Sequence, residues 1–402
     1  MNGNASIAEV DDRLADPLAA CRARSGGVGF VGPDIPIEVL IASGRSFGHL
    51  PWRTDRVTAW ADRWLESSFP YWSRSILEQW HDGDFDALET VVFSRADDAS
   101  QRLYYSVREL QRGGKLRGPV PRMFDIALIC RASSLAHTEA AVLELMRALD
   151  VTADALPNAM ERANGLRRRF AELERDRVAN GPAHERLGRA ALWTNPCEWI
   201  DAMRLPEPSR AATRILLAGS MPPDERLHEA VEAAGASVVA EAHPLALGRL
   251  GSAVPLHPSG HRATPPKTFE QSSAPLEPNG DRGVPLETTG ERAALRHAPA
   301  DEYEPPARVL ARHLRATSIA PRAFFDRAAW IGERARAARA DAVVVWLTRE
   351  DEALAWTAPL QQRALAAAGF PVMLLAARRW QADDDTSEQI ATFIERCARA
   401  SA

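Results

Sequence analysis

The chain has 402 residues, enough for two or three domains, and its 46% hydrophobic and 26% charged residues are ordinary for a globular protein. A net charge of −5 with no long basic run argues against bulk attraction to nucleic acid or anionic lipid. No stretch reaches the roughly 18 apolar residues of a membrane helix. The first residues lack a basic start followed by an apolar core, and the four cysteines (Cys21, Cys130, Cys197, Cys397) are scattered like free thiols of a reducing compartment. A cytoplasmic protein without nucleic-acid or membrane partners is expected.

In chain order, residues 1–28 read as a loose tail with one short helix, and order begins at Gly29-Phe30. A short helix over 35–42 has Pro36 in its first turn and Gly44 past its end. A strand over Arg45–Leu50 and helices over 56–66 and 70–82 come next. Thr90–Phe93 is a β-branched run that reads as a buried strand. Asp98 is read as the cap of a helix over 99–111. Met123–Ile129 is a strand candidate, and 135–149 an amphipathic helix with Leu135, Val142, Leu145 and Leu149 on one stripe. The pattern stays helical from Thr152, as cap, to 178.

An αβ alternation follows. Arg214–Ser220 and Ser237–Ala240 read as strands around a helix over 224–234 closed by Gly235, a βαβ unit. Residues 251–306 hold ten of the 28 prolines and almost no aliphatic run, too little apolar area to offset chain entropy. Residues 251–304 are therefore read as a disordered insertion or linker, with a functional lid as the sharper alternative. Helices near 307–316 and 321–339, a strand over 342–347, a helix over 356–368, a strand over 371–375 and a closing helix over 385–400 complete a second αβ half. The expected domains are 29–150 as an N-terminal α/β lobe, 151–205 as a helical segment, and 206–250 with 305–402 as a C-terminal α/β lobe. The fold class is α/β, with parallel sheets covered by helices on both faces.

Several chemistries find no motif. There is no phosphate loop of the Walker type, no HExxH, no zinc-spaced cysteine set and no Gly-x-Ser-x-Gly elbow. Gly219-Ser220 ends a strand at the carboxyl edge where open α/β sheets bind ligands, but lacks phosphate-loop spacing. His49 ends a strand after Gly48 and has the titration range for proton transfer.

A colinear series of short motifs carries a family resemblance. It runs through Pro36-Ile37-Glu38, Ala42-Ser43-Gly44, Phe69-Pro70-Tyr71-Trp72, Val91-Val92-Phe93 with Asp97-Asp98, and Asn164 with Arg167. It continues through Arg214–Gly219, Val239-Ala240-Glu241, Val343–Asp351 and Gly369-Phe370-Pro371. In this order the chain resembles the subunits of 2-hydroxyacyl-CoA dehydratases and benzoyl-CoA reductases. The resemblance implies two flavodoxin-like (Rossmann-like) lobes, a dimer of related subunits, and a [4Fe-4S] cluster that passes one low-potential electron into a CoA thioester.

The positions implied for the cluster cysteines are occupied here by Gly32, Phe69, Asp97 and Glu350. Glycine and phenylalanine cannot ligate iron, and two hard oxygens do not build a thiolate cluster. No cofactor is therefore expected on this chain, no metal is assigned, and a cluster would belong to a partner subunit. Glu38, His49, Asp97, Asp98, Glu350 and Asp351 are the catalytic candidates, because convergent carboxylates can act as acid and base. The plainer reading is that Asp98 and Asp351 cap helices or sit at loop ends. The leading expectation is a cluster-free subunit pairing with a cluster-bearing homologous subunit in a lyase or reductase acting on acyl-CoA. The alternatives are a stand-alone cluster-free enzyme on an acyl thioester or related acid, and a non-catalytic ligand-binding or regulatory protein.

Overall fold

A computed structural model describes residues 7–24, 26–129, 131–175, 181–203, 213–246 and 304–401. Cys130 and almost all of the proline-rich segment lie outside them. The first sheet contains β1 (Gly27–Val31), β2 (Phe47–His49), β3 (Leu88–Ser94) and β4 (Val120–Phe124) in the order β2-β1-β3-β4. The second contains β5 (Thr213–Gly219), β6 (Ala236–Ala242), β7 (Ala342–Thr348) and β8 (Val372–Arg378) in the order β6-β5-β7-β8. All pairings are parallel. The two lobes thus wind identically, and each has a switch point between its first and third strands. β7 is buried at every residue, as a central parallel strand covered on both faces must be.

Helices cover both faces of each sheet. Over the first sheet, α3 (Ile37–Ala42), α6 (Ala132–Ala148), α7 (Leu156–Arg175) and α8 (Gly181–Trp193) form one layer, and α4 (Tyr71–His81) and α5 (Asp98–Arg112) the other. In the second lobe, α9 (Arg226–Ala233) and α14 (Thr386–Ser401) share a core on one face. On the opposite face lie α11 (Arg327–Ala337) and α13 (Ala358–Ala367), the latter preceded by the short α12 (Glu352–Ala355).

Several local expectations are corrected. The loose tail is instead two helices, α1 (Ile7–Ala15) and α2 (Ala19–Arg24), and Val10, Leu18 and Cys21 are buried in the first lobe. Residues 56–66 contain only a single 3-10 turn at Ala61–Arg63, because Glu78 accepts the backbone N–H groups of Trp60 and Ala61 and holds the segment as a loop. Helix α10 (Pro306–Thr317), expected in the C-terminal lobe, packs with Ala307, Leu310 and Leu314 in the core of the first lobe, and Arg315 donates to the carbonyls of Ala127 and Ile129. α8 lies within the expected helical segment 151–205, past the stretch to 178 that reads as helix.

Trp52 joins the lobes. It follows β2, yet its ring sits in the core of the second lobe, edge-on to Trp193 at 5.0 Å and to Trp380 at 6.3 Å. Its indole N–H donates to the Pro223 carbonyl at 2.6 Å, and Thr54 donates to the same oxygen. Gly48 permits the approach of α8: a Cβ there would collide with the Trp193 carbonyl, a backbone atom that cannot swing aside.

Candidate functional site

In open parallel sheets, ligands bind beyond the carboxyl ends of the strands at the switch point. Here the two switch points face each other. Between them is a small cavity of 60 Å³, room for about two waters. Gly32 reaches it from the end of β1, Asp97 from β3, Ser220 from β5, and Thr348 and Asp351 from β7, with Trp380 as a wall.

Each group is held by its strand end. Gly32 turns the chain with φ +87°, and its N–H donates to His49 Nε2 at 3.0 Å. That bond makes Nε2 the acceptor, so Nδ1 carries the proton that is given to the Leu50 carbonyl at 2.7 Å. Burial drives the His49 pKa down to about 4, with the Leu50 bond opposing. His49 lines the cavity, but as a neutral, doubly bonded brace for the β1 turn and not as a proton shuttle near neutral pH.

Asp97 is the true N-cap of α5. Its carboxylate accepts from the Ser100 N–H at 2.8 Å and the Ser100 hydroxyl at 2.7 Å. Desolvation raises its pKa against both bonds. Asp98, expected as the cap, is exposed and paired with Arg322 at 2.7 Å; it lies outside the cavity.

Asp351 occupies the N-cap position of α12, but its side chain caps nothing there. It accepts instead from the Ser220 hydroxyl, whose oxygen in turn accepts the Thr348 N–H at 3.0 Å. Burial raises the Asp351 pKa to about 6 against the Ser220 bond, and the charges of Asp97 and Glu350 push it further up. The cavity therefore brings two carboxyls from opposite lobes into electrostatic contact, one of them changing charge near neutral pH.

The remaining expected residues are elsewhere. Phe69 is 5% exposed, packed in the first lobe under the Arg102 guanidinium at 4.1 Å, and its neighbour Pro70 lines the cavity in its place. Glu350 is half-buried next to Asp351 with its pKa raised by burial, but it is not a lining residue. Glu38 is fully buried in an ion pair with Arg167, which also donates to Asn164 at 3.1 Å, and it is a core group. Gly219-Ser220 is legible in the sequence as a strand end, but the bond to Asp351 is not, because the partners are 131 residues apart.

The donor set does not fit a thiolate cluster. Among the described cysteines, Cys21 and Cys397 are buried in the cores and Cys197 is in a 3-10 turn, none of them lining the cavity. Position 32 could not readily receive a cysteine: the backbone has a left-handed φ, and a Cβ would collide with the Ser100 hydroxyl that binds Asp97. Among the described residues, no group of three or more His, Cys, Asp or Glu side chains is arranged to hold a metal ion. No family model and no curated protein matches the chain.

Proposed function

We propose that the chain is a cluster-free relative of the 2-hydroxyacyl-CoA dehydratase subunits. In this reading its interlobe cavity takes the reactive end of an acyl thioester or a related acid and moves protons at it. The observation that carries the reading is the meeting of Asp97 and Asp351 at the two switch points. Asp351, with a pKa near 6, is present in both charge states close to neutral pH, the condition for an efficient general acid or base. Asp97 supplies the second carboxyl. Its cap bonds fix its position, and its charge raises the proton affinity of Asp351. The Ser220 hydroxyl orients the Asp351 carboxyl. The chemistry supported is proton exchange on the carbon next to the acyl carbonyl, which needs no electron donor.

The test is deuterium exchange at that carbon of a short acyl-CoA in D2O, followed by NMR with the purified chain. Exchange is expected, and Asp351→Asn and Asp97→Asn should each slow it by about 10²–10⁴-fold. A wild-type chain that neither binds the thioester nor exchanges it would overturn the reading.

Pairing with a homologous, cluster-bearing subunit is a second reading, favoured by an apolar surface on the second lobe. Trp356 is 83% exposed, and Leu360, four residues on, is 60% exposed. Trp356→Asp should then abolish co-purification with the partner while the fold persists by circular dichroism. Equal recovery of the complex would exclude this surface from the interface.

A further inference from the structure

A second cavity, of 100 Å³, lies behind the first and shares Gly32 and Leu245 with it. Phe30, Ile37 and Phe47 from the first lobe, Ala191 of α8 and Leu314 of α10 give it apolar walls. Two of its polar lining groups are Arg167 and His313.

The two differ in one respect. The Arg167 guanidinium is already committed to Glu38 and Asn164. His313 is only 9% exposed, yet its imidazole makes no hydrogen bond to any described residue. The ring lies nine-tenths buried on the cavity wall, and with no described protein group meeting its donor and its acceptor, both are left to whatever fills the cavity. Its neighbours decide which charge a partner can have. Desolvation first, and Arg167 second, lower the His313 pKa to about 4, so the ring is neutral near pH 7. Arg167 and Glu38 cancel each other, and among the described lining residues no unpaired cation faces the cavity to receive an anion. A carboxylate there would be buried without compensation. A hydroxyl offers what the neutral ring needs, one donor and one acceptor on the same atom.

We propose that this cavity binds a compact apolar group of about four or five heavy atoms, the size that 100 Å³ accommodates, ending in a neutral hydroxyl that hydrogen-bonds to His313. Because the two cavities adjoin at Gly32 and Leu245, such a group is the far end of a ligand whose reactive end lies between Asp97 and Asp351. Only this last connection rests on the proposed function; occupancy of the rear cavity does not. The ligand class is then a short, branched acyl chain with a distal hydroxyl.

The experiment titrates 2-methylpropan-1-ol into the full chain, following the His313 ring resonances in the wild type and the saturation-transfer signals of the alcohol itself in every variant by NMR, with 2-methylpropanoate as the charged counterpart. A Kd of about a millimolar is expected for a ligand this small. His313→Leu should weaken binding by about tenfold or more, the loss of one buried hydrogen bond. His313→Gln, which keeps a donor and an acceptor, should restore most of it and guards against a variant that fails to fold. Asp351→Asn should leave alcohol binding unchanged, which separates this site from the acid–base cleft. No shift of the His313 signals, equal binding by His313→Leu, or tighter binding of the carboxylate would overturn the proposal, even if thioester exchange is found.

Discussion

Arg167→Ala is expected to lower stability by about 3–5 kcal/mol, the effect of breaking a buried ion pair from one side. Glu38 is 0% exposed and Arg167 5%, and they tie α3 to α7 in the core beneath β1. One Glu38 oxygen, Oε2, already lacks a hydrogen-bond partner. Removing the guanidinium strands the whole carboxylate in a medium that solvates it poorly. The double replacement Glu38→Leu with Arg167→Met removes both charges and fills the volume, so it should recover most of the loss. Urea denaturation of the three proteins decides this. A single variant within about 1 kcal/mol of wild type would show that water reaches the pair, and a double variant as weak as the single would show that packing, not charge, is the cause.

The second large effect is on pH dependence. Glu185, in α8, is 8% exposed, and burial pushes its pKa up to about 8. Arg189 lies 3.3 Å away and opposes the rise, but that guanidinium also pairs with Glu225, and the nearby charges of Glu225, Glu241 and Asp224 push the other way. The folded chain therefore holds a proton on Glu185 that the unfolded chain, with an ordinary value of 4.5, releases. Below pH 4.5 both states are protonated and the group is neutral in its effect. As pH rises towards 8, the unfolded state ionises first and wild-type stability falls. Glu185→Gln has no such proton. It should match wild type at low pH and exceed it by about 5 kcal/mol above pH 8, where the difference levels off. His49 and His313 impose the opposite slope, losing stability as pH falls from 6.5 towards 4, but they are present in both proteins and cancel in the comparison. A difference that stays flat across the range would mean that Glu185 ionises normally and that Arg189 outweighs burial.

The strands were the legible part of this chain. Thr90–Phe93, Arg214–Gly219 and Ala342–Leu347 are dense in β-branched and aliphatic residues because parallel strands are covered on both sides, and each was placed within a few residues. The two-sheet α/β class followed from them. Segments whose shape is set by distant partners were not legible. Residues 56–66 have helical composition but are held open by Glu78 from the next helix, and α10 follows the second βα unit in sequence yet docks on the first lobe through Arg315. Asp97 and Asp98 are equivalent as caps in sequence, and only the Ser100 contact separates them. Of the candidate site, Gly32, Asp97 and Asp351 converge. Glu38 and His49 are polar groups whose burial and partners make them structural, and single-residue chemistry does not reveal burial. His313 went unnoticed for the same reason: a histidine within a helix gives no sign of the cavity before it.

The common winding order of the two sheets has a mechanical corollary. Asp97 and Asp351 follow corresponding third strands of separate lobes, so the gap between their charges depends on how far the lobes are apart. Spreading the lobes admits water and relaxes the repulsion, and Asp351 must then surrender its proton more readily; clamping them restores its grip. The acidity of that one side chain would thus respond to any change in lobe separation, and isotope-edited infrared spectroscopy of the carboxyl would read it.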